Sequence, residues 1–88
     1  MSVIADPEEM EDFANTLRSF CEAIQSELAR LNAGFSSLSN SWQDIKQQEF
    51  AEMLGELNNQ INQFTEVSEE NVLYLHQQAD RLREYLQA

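Results

Sequence analysis

His76 is the only histidine of the 88 residues, and Asp80 follows it at the distance that puts both side chains on one helix face. A zinc site needs three or four such ligands, and one His–Asp pair falls short of that number. The carboxylates Glu49, Glu52 and Glu56 recur at spacings of three and four. Paired carboxylates divide acid and base work only when their surroundings separate their pKa values, and these read as one solvated face. Cys21 is the only cysteine, so no intrachain disulfide is possible. Beside Phe20 it reads as a small buried apolar residue. Serines are many, but a hairpin offers no concave pocket to shelter a nucleophile. Glycine-rich phosphate loops and Cys–His clusters are absent from the sequence. The expectation is a chain with no catalytic residue, no cofactor and no metal ligand set.

The chemistry left is recognition, and it centres on Trp42, the only tryptophan, set in Ser39-Asn40-Ser41-Trp42-Gln43-Asp44. Tryptophan is a favoured interface anchor because its large ring buries much area. Two roles stand side by side here: a docking ring at the end of a helical bundle, or a ring that only closes that end.

The elements around it follow from spacing. Upstream, apolar residues fall at Met10, Phe13, Leu17, Phe20, Ile24, Leu28, Leu31, Phe35 and Leu38, every 3.5 residues on average. That period favours coiled-coil-like packing, and the phenylalanines suit a bundle core wider than a two-stranded zipper. Downstream the stripe resumes at Ile45, Phe50, Met53, Leu57, Ile61 and Phe64, then at Leu75, Ala79, Leu82 and Leu86. Asp6 and Pro7 make a helix start, with Glu9 at capping-box spacing. The serine-rich run after Gly34 lowers helix propensity, and Asp44 with Gln47 repeats the capping-box spacing. The prediction is a single all-α domain over residues 1–88, a two-helix antiparallel hairpin: helix one over about 7–39, a bend at 40–43, helix two over about 44–87. The expected core or pairing seam is Phe13, Leu17, Phe20, Ile24, Leu28, Leu31, Phe35, Met53, Leu57, Ile61 and Phe64.

The weak part of the second stripe, where Thr65, Ser68 and Asn71 intrude, holds neither Gly nor Pro, so the helix should continue through it. Of the two readings of the cluster Glu66-Val67-Ser68-Glu69-Glu70, a short break or a polar section beyond the partner helix, a continuous helix favours the second. The amides of Asn58, Asn59, Gln60, Asn62 and Gln63 are expected to face solvent.

Composition narrows the partners. Sixteen acids against five Lys and Arg give a net charge of -11, which repels phosphate backbones and anionic lipid. Nucleic acid and membrane insertion are therefore excluded as readings, and no apolar run reaches the roughly 18 residues of a span. The N-terminus carries no Sec-type signal peptide pattern. A lone hairpin of this size has a thin core, so oligomerisation is expected.

These features together resemble the WXG-motif, early-secreted-antigen-like proteins of type VII secretion, over nearly the whole chain. The resemblance rests on the length, two helices, the absent signal peptide, the tryptophan bend near the midpoint, and Phe50 eight residues after Trp42. It implies hairpins that pair antiparallel into four-helix bundles, as a homodimer or a heterodimer with a related hairpin. It also implies a turn or docking element at Trp42, Asp44 and Phe50. The implied functions are a secreted substrate, or an escort for a larger effector or secretion component. The implied location is outside the cell without a Sec signal peptide, or the cytoplasm before export. Two positions depart from the family pattern. Asp44 stands where the family has glycine, and the export signal Tyr-X-X-X-Asp/Glu is unmatched, since Gln78 follows Tyr74 at that distance. Asp is a good helix cap, so the elbow survives the first change. The competing reading is an intracellular acidic adaptor or chaperone that neutralises a basic partner.

Overall fold

The computed structural model describes residues 5–87. Two α-helices, α1 (Pro7–Leu38) and α2 (Ile45–Gln87), lie antiparallel in a rod of 66 × 18 × 16 Å. At the start of α1 the Asp6 carboxylate accepts from the Glu8 N–H at 2.9 Å, with Pro7 beside it where its missing donor costs nothing. The helix runs through Gly34 and closes at Leu38. There the Asn40, Ser41 and Trp42 N–H groups bond back to the carbonyls of Ser37 and Leu38 at 3.0–3.2 Å. No residue in the turn needs a positive φ. α2 continues unbroken through residues 65–71.

The intrachain seam is narrower than the apolar stripes. α1 presents Ala14, Cys21 and Leu28 at steps of seven residues, and α2 answers with Leu54, Ile61, Thr65, Ser68, Val72 and Ala79, all buried. Small side chains let the helices approach closely, as a seven-residue seam between two helices requires. Within the expected seam, Leu28 and Ile61 are buried and Leu17, Ile24, Phe35 and Leu57 are half-buried. Phe13 is 59% exposed, Phe20 51% and Met53 51%, and Leu31 and Phe64 are exposed as well. These large residues flank the seam and leave about half of their surface to solvent.

Two local expectations are corrected. Ser68, with Thr65 before it, belongs to the seam and does not lie beyond α1; at 3% and 5% exposed the two are at least as buried as Val72 and more so than Leu54 or Ile61. Their small size suits the closest approach of the helices better than another leucine would. Asn58 does not face solvent with its neighbouring amides. It exchanges two hydrogen bonds with Asn32 across the hairpin, at 2.8 and 3.0 Å, and its amide also donates to the Leu54 carbonyl at 2.7 Å. A matched amide pair satisfies donor and acceptor on both sides, so half-burial carries no penalty.

Candidate functional site

The elbow is built around Asp44. Its Oδ1 accepts from the Gln47 N–H at 3.0 Å, capping α2, while Oδ2 accepts from the Trp42 indole N–H at 3.0 Å. Those donors hold the Asp44 carboxyl below its ordinary value, the Gln47 backbone bond being the larger cause and the indole the next. The second half of a capping box is missing. Gln47 spends its amide on the Ser39 hydroxyl at 2.8 Å, tying the start of α2 to the end of α1. Ser39 in turn donates to the Phe35 carbonyl at 2.9 Å.

The half-buried indole tilts against Phe50, with ring centroids 5.8 Å apart and planes at 59°. Trp42, Asp44 and Phe50 are thus brought together, two by a hydrogen bond and two by ring contact. Trp42 and Phe50 border an open groove of about 650 Å³ whose floor includes Leu31, Gly34, Leu38, Met53 and Leu57. Toward the other end of the same side, Phe13, Leu17, Phe64, Val67 and Tyr74 line a second groove. Between the two, the Phe20 ring meets Phe64 edge-on at 5.9 Å. The large apolar residues left outside the seam therefore form one face spanning both helices. Sequence periodicity placed these residues on a stripe without dividing the stripe between the two surfaces. The available signal was the seven-residue line Ala14–Cys21–Leu28, whose small first two members stand one position from Phe13 and Phe20.

The far end is tied by charge. Arg83 donates to Glu11 Oε1 at 2.7 Å and to Asp80 at 3.4 Å, and His76 Nδ1 lies 3.9 Å from the same Glu11 oxygen. The Arg83 hydrogen bond lowers the Glu11 pKa and raises that of Arg83. Asp80 thus engages Arg83 as its observed partner. Among the described residues no group of three or more His, Cys, Asp and Glu is placed to hold a metal ion. No described helix is long and apolar enough to cross a membrane.

The fold has close counterparts among solved structures. A single-residue mutant of EsxB, described as a secreted protein from Bacillus anthracis, superposes with a TM-score of 0.83 at 24% identity, covering 94% of this chain and 99% of that one. Wild-type EsxB from the same organism gives 0.79 at 25% identity, covering 92% and 87%. No curated protein matches the sequence. Residues 2–85 match the family described as proteins of 100 residues with WXG. Asp44 takes the glycine position of that motif, and the elbow persists because its carboxylate caps α2 and holds the ring that opens the motif. The chain is a member of the WXG100 family.

Proposed function

We propose that this chain is a non-enzymatic helical hairpin of a type VII secretion system, which pairs with a related hairpin into a four-helix bundle and is exported as a substrate or escorts a larger effector. The observation that carries the reading is the continuous apolar face running from Phe13 and Phe20 through Phe64 to Phe50 and Trp42. The chain exposes 6827 Å², against about 5,300 Å² for a compact monomer of this mass. An excess on the order of 1,500 Å² exceeds the ~800 Å² that each partner of a stable complex commonly buries. Family membership and the secreted description of EsxB support the export half of the proposal.

Two measurements test it. Sedimentation of the wild type should give a dimer, alone or with a related hairpin from the same host, while Phe20→Glu with Phe64→Glu should give a helical monomer. A tagged copy in the native host should reach the culture medium only when the type VII secretion ATPase is intact. Retention in the cytoplasm with the ATPase present would overturn export and return the chain to the acidic-adaptor reading.

A further inference from the structure

We infer that a gap in the polar edge of the hairpin, across the seam from the apolar face, is a binding site for a short extended peptide segment carrying one Lys or Arg. It adds a second contact surface to the pairing proposed above.

On α1 the residues Glu11, Arg18, Gln25, Asn32 and Ser39 stand at steps of seven and form one polar line. That line is bridged to α2 near both ends. Glu11 accepts from Arg83 at 2.7 Å, Asn32 exchanges two bonds with Asn58, and the Ser39 hydroxyl accepts from Gln47 at 2.8 Å. All three bridged residues are half-buried. Arg18 and Gln25 lie between them, exposed and with no bridge to α2.

At this gap the helices leave an open cleft of about 340 Å³. Buried Cys21 and Val72 line it, with exposed Leu73 beside them. It shares only Ser68, a seam residue, with the grooves of the apolar face, so pairing on that face leaves the cleft open. Its polar groups are unmet. Thr65 also lines it, 5% exposed, and Thr65 Oγ1 is buried without a hydrogen-bond partner. Rotation about χ1 exchanges that hydroxyl with the methyl group. Glu22 and Glu69 line it as well, both exposed, and neither is paired with a Lys or Arg.

Unmet donors and acceptors over an apolar lining suit extended backbone, which offers one N–H and one C=O per residue. The Gln25 amide and the Thr65 hydroxyl can each give and take a hydrogen bond, and Arg18 can donate to a carbonyl. From Arg18 to Gln25 the helix rises about 10 Å, the length of roughly three extended residues. Charge selects the side chain. Two carboxylates against one guanidinium, on a chain of net charge -11, favour a cation. The alkyl stem of a Lys or Arg would cover Cys21 and Val72 while its head reaches Glu22 and Glu69.

The probe is the capped tripeptide acetyl-alanyl-arginyl-alanine amide, titrated into the isotope-labelled full chain and followed by amide chemical shifts. Saturating shifts are expected over residues 18–25 and 65–73 and not at the elbow. The same tripeptide with a central glutamate should bind at least ~10-fold more weakly. Glu22→Gln with Glu69→Gln should remain helical by circular dichroism and weaken the arginyl probe at least ~5-fold. Glu52→Gln with Glu84→Gln removes the same charge away from the cleft and should bind as the wild type does. No shift at the cleft with about 10 mM probe, equal binding of the two tripeptides, or equal loss in both double variants would overturn the inference. The cleft lies within one hairpin, so sedimentation of the same samples reads pairing separately, and failure here leaves the pairing reading standing.

Discussion

Trp42 and Asp44 are joined by an indole-to-carboxylate hydrogen bond of 3.0 Å, and the same carboxylate caps α2 through the Gln47 N–H. A glycine there would supply neither acceptor. The elbow of this chain therefore replaces backbone smallness with a side chain that locks ring and helix start together.

That arrangement predicts an order among substitutions. Asn at position 44 keeps one acceptor oxygen for two donors, and Gly keeps none, so thermal midpoints should fall from wild type to Asp44→Asn to Asp44→Gly. The carboxyl lies below its ordinary value of 3.8 in the folded state. Its contribution is thus complete above that value and is lost as pH falls through the lower folded one. Melting curves at neutral pH and near pH ~3 should show the gap between wild type and Asp44→Asn narrowing in acid. Equal midpoints at neutral pH would remove the carboxylate from the elbow's stability.

Asn32 and Asn58 set the register of the hairpin, because two amides satisfy each other only at one offset. Asn32→Ala leaves the Asn58 amide half-buried with part of its bonding lost, costing about 1–3 kcal/mol. A double-mutant cycle through Asn58→Ala should return a coupling of at least ~0.5 kcal/mol. Additive losses in urea unfolding would mean that the pair is not acting as a unit.

Thr65 carries the one buried side-chain oxygen left without a partner among the described residues. Valine has nearly the same shape without the hydroxyl, so Thr65→Val should stabilise the hairpin by about 1 kcal/mol. The readout is a higher denaturant midpoint with an unchanged m-value. A lower midpoint would show that the hydroxyl is bonded in solution.

The same two residue pairs mark how far the sequence could be read. The hairpin was legible because Asp6-Pro7 and Asp44 start helices and the 3.5-residue period survives on both sides of Trp42. Which surface each stripe residue covers was not legible. Phe13 and Ala14 are adjacent in sequence yet face solvent and seam, and hydrophobicity alone ranks the phenylalanine as the more buried. The Asn32–Asn58 bond spans 26 positions, and nothing local in either polar run identifies its partner. At the elbow the cap was readable from Asp44 and Gln47, whereas the indole contact depends on a ring orientation that only the folded turn defines.

Glu11 and Arg83 close the open end of the hairpin, where the start of α1 meets the last turns of α2. Both side chains are about one-third exposed, so solvent and salt screen the pair without abolishing it. The Arg83 bond holds the Glu11 carboxyl below its ordinary value of 4.5. Its stabilisation is then present above that value and disappears as pH drops through the folded one, when the proton Glu11 takes up removes its charge. Glu11→Gln should accordingly lower the melting midpoint at neutral pH and have little effect in acid. Arg83→Ala should also speed amide exchange over the last turns of α2 while leaving the Asn58 region protected, because the seam near Ile61 does not depend on this contact. Unchanged exchange in Arg83→Ala would mean that Ala14 and Ala79, buried beside it in the seam, hold this end without the ion pair.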